Sequence, residues 1–197
     1  MKRISILTIL LMSISAHATT LSRLPVEKLF DDSDFVGTVQ VTEGHMLGIG
    51  EESCGAVYTA KVIEQFRGES AGAIQFGHTY GFKVGERYLL FLSKPGDERR
   101  YLNSTNSRSE RARNEYLEKC KDALVGWNVM HSGVGAIPYT WAPELKFNNG
   151  FAFPNRYISL PASMEGVEAD TDARESYNEI KWYSEDAVLK LLRGMGR

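Results

Sequence analysis

The histidines and their hydroxyl neighbours are the side chains of this chain best suited to acid–base or nucleophilic chemistry. Beyond the first 18 residues the histidines are His45, His78 and His131. None has the HExxH spacing that places two imidazoles and a general base around zinc, and no GxSxG motif of a serine hydrolase is present. Ser132 follows His131 directly, but adjacency in sequence is not the geometry of a base and a nucleophile. The sequence therefore predicts no catalytic residue and no metal site.

The acidic and glycine-containing stretches also lack a ligand motif. Residues 31–34 read Asp-Asp-Ser-Asp, without the Gly and the distal Glu of a calcium-binding loop. Residues 168–172 are most simply interpreted as a solvated loop. The glycines are scattered through predicted turns and form no phosphate-binding loop. We expect no cofactor.

The charge balance argues against a nucleic-acid partner. Lysine and arginine together number 23 and aspartate and glutamate 25, which gives a formal net charge of −2. A protein that neutralises phosphates would carry a basic excess. The local arginines between residues 99 and 113 are expected to lie on an exposed helix face. With 197 residues and 43% hydrophobic content, the chain has the profile of one folded domain.

Residues 1–18 have the three parts of a secretory signal peptide. Lys2 and Arg3 form the positive region, residues 4–14 form a short apolar run, and Ala18 ends a cleavage site of small residues. Cleavage after Ala18 would make Thr19 the new amino terminus. The apolar run is about half of the roughly 20 residues that span a bilayer, so we expect no membrane span. The mature protein is predicted to be periplasmic or secreted.

The stretch from residue 34 to residue 93 alternates apolar and polar residues, the pattern of half-buried β-strands. Predicted strands cover residues 35–41, 58–66, 74–78 and 88–92. The last of these is apolar on both faces and is expected to be a central strand. Short strands without intervening helical periods predict a small barrel or sandwich.

Apolar residues at helical spacing predict two helices. The first covers residues 109–124 and directs Cys120 toward the core. The second follows Ser184 as its N-cap and ends at Gly194, with acidic residues in its first turn that suit the positive end of the helix dipole. The segment between them, residues 126–183, has no clear period.

Three stretches of the predicted barrel follow one another as 34–39 (DFVGTV), 58–68 (YTAKVIEQFRG) and 81–91 (GFKVGERYLLF). In order and spacing they resemble the bacterial members of the tissue-inhibitor-of-metalloproteinases-like, or netrin-like, OB-fold family. The resemblance covers about residues 30–125. It implies a five-stranded OB-like barrel with a packed helix, and a protein that binds a partner.

The chain departs from that family at its cysteines. Members often carry a Cys just before the Gly of the third stretch and another after the following strand, where this chain has Tyr80 and the region 106–107. The inhibitors of the family bind the protease zinc through an N-terminal Cys. The mature chain would begin with Thr19, so that inhibitory mechanism does not transfer.

An aromatic stretch between residues 127 and 157 leaves two interpretations open. Tyr139 and Trp141 lie between Pro138 and Pro143, where a restrained backbone can present rigid rings to a partner. Aromatic residues are common anchors of interfaces. The alternative is a small core under the C-terminal helix. We name Tyr139 and Trp141 as the candidate partner-binding residues.

Together these observations predict a mainly β protein. It consists of a signal peptide at 1–18, an OB-like barrel with a packed helix at 19–125, and an irregular extension at 126–197 that ends in a helix and packs on the same domain. The expected function is that of an exported, non-enzymatic binding protein whose partner is a protein or an envelope ligand, and which can act as an inhibitor of a protein partner. The alternatives are a periplasmic immunity protein that neutralises a toxin, and a hydrolase with a site near His131.

We predict that Cys54 and Cys120, the two cysteines of the chain, form a disulfide, since an oxidising compartment favours their pairing. The bridge would stabilise the fold by roughly 3–5 kcal/mol in the chain-entropy model. The alternative is two buried free thiols. Iodoacetamide should not label the denatured, unreduced protein and should label both cysteines after reduction. Labelling of both without reduction would contradict the bridge.

Overall fold

The computed structural model describes residues 23–49, 52–69, 71–78, 81–94, 126–141, 149–168 and 180–197. The predicted signal peptide, the predicted helix at 109–124 and Cys120 lie outside these ranges. Within them the chain forms eleven β-strands and two α-helices, so it is mainly β as predicted. No helix in these ranges has the length and apolarity needed to cross a membrane.

Five strands close into a barrel. They are β2 (Phe35–Ile49), β3 (Glu52–Arg67), β4 (Ala73–His78), β5 (Arg87–Ser93) and β6 (Trp127–Val129). The strand order is β2-β3-β4-β6-β5, and β5 pairs with β2 to complete the ring. All pairs are antiparallel except β4 with β6. This is the OB-like barrel that the sequence predicts; its fifth strand comes from beyond residue 125.

The barrel interior is filled by side chains from all five strands, because alternate residues of each strand point inward. The fully or nearly fully buried members of this barrel core include Phe35, Val39, Val41, Tyr58, Ala60, Ile74, Phe76, Leu90, Leu92 and Val129. The alternation of apolar and polar residues in the sequence therefore arises because alternate side chains are buried in the barrel.

The turn before β5 seals one end of this core with an aromatic ring. The ring of Phe82 packs edge-on against Tyr58, Phe76 and Tyr88, with centroid separations of 5.0, 5.0 and 4.8 Å. The two tyrosine hydroxyls accept hydrogen bonds from the backbone N–H groups of Phe82 and Lys83, at 3.1 and 3.2 Å. The ring of Phe82 and these two hydrogen bonds thus hold the turn of the GFKVGERY stretch against the barrel.

The glycine that ends the second stretch has a close-packing role. Gly68 has a φ of +102°, and a Cβ at this position would lie 2.7 Å from the carbonyl oxygen of Asp34. Only glycine fits such an approach without strain. Gly68 therefore lets the end of β3 fold over the start of β2.

Beyond the barrel, the sheet continues through four more strands in the order β7-β8-β11-β10. These are β7 (Ala136–Trp141), β8 (Asn149–Pro154), β11 (Ile180–Ser184) and β10 (Val167–Glu168). The structure differs here from the irregular extension that the sequence predicts. The strands are short, and β7 contains Pro138 at a position where proline normally argues against a strand. That is why no period was visible.

Two helices cover this outer sheet. Helix α1 (Val26–Asp31) follows β1 (Leu24–Pro25), which pairs in parallel with β9 (Ile158–Ser159). Helix α2 (Glu185–Met195) follows β11. The outer core between helices and sheet includes Val26, Leu29, Phe30, Leu89, Phe91, Ile137, Phe151, Phe153, Ile158, Val188 and Leu192.

Helix α2 begins where the sequence predicts it. The hydroxyl of Ser184 accepts a hydrogen bond from the N–H of Ala187 at 3.3 Å, which makes Ser184 the N-cap. The helix continues through Gly194, the predicted end, to Met195, and Gly196 is its C-cap. Helix α1 was not predicted, because a helix of 6 residues is too short to establish a period.

Strand β5 belongs to both cores, since Leu89 packs in the outer core and Leu90 in the barrel core. Both side chains are fully buried. Leu89→Ala and Leu90→Ala should each lower the free energy of unfolding by about 2–5 kcal/mol. Urea unfolding followed by circular dichroism and tryptophan fluorescence should give one coincident transition for each variant. Val84→Ala, at an exposed turn position, is the matched control. Two separate transitions would contradict a shared strand.

Candidate functional site

Of the three histidines beyond residue 18, only His45 has its side chain in the part of the chain that the structure describes. His45 is exposed on β2, with its Nε2 atom 3.9 Å from a Glu43 carboxylate oxygen. His131 and Ser132 lie in a 3-10 turn, Met130–Gly133, directly after β6. The side chains of these two residues and of His78 are outside the description. Among the described residues no group of three His, Cys, Asp or Glu side chains could hold a metal ion.

Of the two candidate partner-binding residues, Tyr139 lies at an internal junction. Its ring packs edge-on against Phe151, with the ring centroids 5.3 Å apart. The guanidinium of Arg87, on β5, lies 4.1 Å from the centroid of the Tyr139 ring. Its hydroxyl donates a hydrogen bond of 2.8 Å to Oε2 of Glu185, while Arg87 donates one of 2.9 Å to Oε1. Tyr139 thus joins β7 to the first turn of α2.

This arrangement occupies Tyr139 with internal contacts on both its ring and its hydroxyl. Burial, and then the hydrogen bond to the Glu185 carboxylate, raise the pKa of Tyr139 above its usual value of 10.0. Trp141 ends β7, but its side chain lies outside the description. Its role at a partner surface stays a prediction. Cys54 lies in β3 and Cys120 outside the described ranges, so the disulfide also stays a prediction.

An open groove runs along α2. One wall is a face of α2, and the other is the segment from Pro161 to Val167 that leads into β10. Its volume is about 780 Å³, within the range of ligand sites. We call this feature the α2 groove; it is lined by Pro161, Ser163, Met164, Glu165, Gly166, Val167, Ser184, Ala187, Lys190, Leu191, Gly194 and Met195.

The lining of the α2 groove is mostly apolar. Met164, Leu191 and Met195 are half-buried and pack against the outer core from the groove side. Methionine side chains are flexible and polarisable and can adapt to differently shaped partners. The groove therefore exposes an extension of the outer core to solvent.

Two charged side chains of opposite sign also line the α2 groove. Lys190 and Glu165 are both exposed. Neither makes a hydrogen bond or an ion pair with another described residue, and they do not pair with each other within 4.0 Å. Both charges are thus available to an occupant of the groove.

The helical wall of the groove is held at both ends. At its start, Glu185 pairs with Arg87 of the barrel strand β5. At its end, the guanidinium of Arg193 donates two hydrogen bonds, of 2.7 and 2.8 Å, to the carboxylate of Glu64 on β3. Bidentate pairs of this kind fix orientation as well as distance. Helix α2 is therefore positioned on the barrel by two ion pairs on different strands.

The opposite wall approaches the sheet closely through a glycine. A Cβ at Gly166 would lie 2.7 Å from both Cε of Lys181 and the ring of Tyr183 on β11. A larger residue would push the segment away from the sheet. Gly166 therefore lets the segment that carries Met164 and Val167 lie close to the sheet, opposite α2.

The sequence did not reveal the α2 groove, because its walls come from separate segments. One signal was present in the predicted C-terminal helix. Its apolar residues include Val188 and Leu192, which face the core, and also Ala187, Leu191 and Met195, which line the groove. When the apolar face of a helix is wider than its contact with the core requires, the remaining apolar residues indicate a second contact.

Comparisons with known proteins give no match, either to a protein-family model or to a curated protein. The likeness to the inhibitor-like OB-fold family therefore depends on the three sequence stretches described above.

Alkaline titration tests the Tyr139 junction. The fold favours the neutral phenol, so its contribution to stability is complete below about pH 10 and is lost as pH rises through the raised pKa of Tyr139. Tyr139→Phe should cost about 1–2 kcal/mol near pH 8 and should reduce the further loss of stability above about pH 10. Urea unfolding at both pH values measures this.

Tyr157→Phe is the matched control, since Tyr157 is exposed. Some alkaline loss should remain in Tyr139→Phe, because burial also raises the pKa values of Tyr88 and Tyr183. Equal alkaline losses in the wild type and in Tyr139→Phe would contradict the junction.

Proposed function

We propose that this protein is an exported, non-enzymatic binding protein that recognises a protein partner through the α2 groove. The observation that carries the proposal is the groove itself, an open apolar surface beside an anchored helix, with two charges, Lys190 and Glu165, that are unpaired among the described residues. Exposed apolar surface of this kind, rimmed by polar groups, is typical of interaction sites. Export is supported by the signal-peptide pattern of residues 1–18.

The shape of the groove favours a protein over a small molecule. Sites for small ligands enclose most of the ligand surface, whereas the α2 groove is open to solvent along one side. A protein segment can bury its apolar side chains in such a groove and leave its polar side in water. The groove therefore suits an amphipathic polypeptide.

Binding of this kind can inhibit the partner. The resemblance to metalloproteinase inhibitors supports a binding role on an OB-like barrel, but the expected Thr19 terminus lacks the zinc-binding cysteine of those inhibitors. The α2 groove is formed by helix α2 and the segment that leads into β10. We therefore propose recognition by surface contact and not by chelation of a partner's metal.

Gly194 provides a test that blocks the groove and leaves the fold intact. It lines the groove, and no atom lies within 4 Å of a Cβ placed on it. Gly194→Trp should fill the groove and reduce partner capture at least about tenfold, whereas Gly194→Ala should preserve capture and stabilise the helix by roughly 0.5–1 kcal/mol. Quantitative mass spectrometry of proteins captured from the native envelope measures the difference.

Two measurements keep this test conclusive. The melting temperature of Gly194→Trp must match that of the wild type within a few degrees, since the substituted ring enters open space. Ile63→Trp, at an exposed position on β3 that does not line the groove, controls for the added aromatic surface. Equal capture of every protein by Gly194→Trp and Gly194→Ala would overturn the proposal.

A further inference from the structure

We infer that the occupant of the α2 groove is an amphipathic α-helix of the partner, about three turns long, which packs beside α2 and directs a carboxylate toward Lys190. This inference depends on the proposed function and specifies the chemistry of the partner. It is argued from the spacing, shape and charge of the groove.

The groove-lining residues on α2 are spaced like those of a helix-packing seam. Ser184, Ala187, Leu191 and Gly194 lie three, four and three positions apart. This is the spacing of the seam along which two helices pack side by side. The four positions run from the N-cap to the last turn, a length of about 15 Å at 1.5 Å per residue. A partner helix along this seam would have about three turns.

The shape of the seam also suits a helix. Ala187 and Gly194 are small and flank the larger Leu191. Packed helices lie about 8–10 Å apart, at a distance that depends on the side chains at the contact, and small residues let a second helix approach closely. Met164 and Val167 form an apolar wall on the other side. The groove can thus receive the apolar stripe of a helix, with flexible methionines adjusting to it.

An extended occupant would be held less well. A strand needs backbone hydrogen bonds from a sheet edge. The strand that lines the groove, β10, is 2 residues long and already pairs with β11 on one side. Among the described residues it could hold only a very short segment of added strand. A helix satisfies its own backbone groups and needs only side-chain contacts.

The charges of the groove also favour a polypeptide occupant. Lys190 and Glu165 present opposite charges to the same groove, and neither is paired with another described residue. An anionic lipid would neutralise Lys190 and leave Glu165 facing its hydrocarbon chain, which is unfavourable. The borders of an amphipathic helix can carry an acidic residue for Lys190 and a basic residue for Glu165. A polypeptide helix is therefore the occupant that matches both charges.

A peptide selection tests the inference. A phage-displayed library of peptides of about 14 residues, long enough for a three-turn helix, would be selected on the mature wild-type protein and depleted on Gly194→Trp. Selected peptides should carry apolar residues three and four positions apart and an acidic residue beside them. They should become helical on binding, as circular dichroism can measure.

Affinities of the selected peptides for a matched set of variants then identify the contacts. Binding should weaken at least about tenfold for Gly194→Trp and for Lys190→Glu, and should persist for Ile63→Trp, an exposed position that does not line the groove. Replacing the acidic residue of a selected peptide by lysine should restore its binding to Lys190→Glu. Lys190 is exposed, so this charge reversal should leave the fold intact.

The outcomes separate the inference from the function on which it depends. Groove-dependent peptides without helical spacing would overturn the helix and leave the proposed binding function standing. Failure to select any groove-dependent peptide would also overturn the helix, while Gly194-dependent capture from the envelope would still test the function. Concentration-dependent self-association that Gly194→Trp abolishes would assign the groove to a second copy of this chain and overturn the inference.

Discussion

The structure depends on one strand that serves two cores. Strand β5 pairs with β2 along one edge and with both β6 and β7 along the other. Its side chains alternate between the barrel core, which receives Leu90 and Leu92, and the outer core, which receives Leu89 and Phe91. A strand with both faces buried must be apolar throughout. That requirement explains the Tyr-Leu-Leu-Phe-Leu run, and the shared strand joins the barrel to the outer sheet.

The same strand also fixes the position of α2, the helical wall of the groove. Arg87, the first residue of β5, pairs with Glu185 at the start of α2, and its guanidinium covers the ring of Tyr139 on β7. Its Nε atom is buried without a hydrogen-bond partner among the described atoms. An unsatisfied donor of this kind is unfavourable, and the cation–π contact and the ion pair offset that cost. The helical wall of the groove is thus fixed to the barrel by Arg87 and by the pair of Arg193 with Glu64.

Much of the barrel could be predicted from the sequence, because its strands obey simple rules. The period of two in β2 and β3, the doubly apolar β5 and the Ser184 cap each have a local cause, and the structure contains each of them. The outer sheet could not be predicted in the same way. Strand β7 contains Pro138, and β8 contains Gly150 and ends at Pro154. Their strand character comes from pairing with β5 and with each other, which is a tertiary effect that no local pattern records. The groove was invisible for the same reason.

The distribution of buried surface is the reason why we propose recognition on α2 and not elsewhere. The barrel core is filled by its own side chains, and the outer core closes beneath α1 and one face of α2.

The exposed edge of the β2–β3 hairpin is another surface where a partner could add a strand. That edge has register shifts between Val41 and Glu43 and between Met46 and Gly48. Bulges and charged residues are the features by which natural sheets discourage edge pairing. The α2 groove has no such protection: its apolar wall is continuous with the outer core, its helix is anchored at both ends, and its charges are unpaired among the described residues. A fold that shields its sheet edge and leaves this groove open is suited to receiving side chains there, and not to pairing strands.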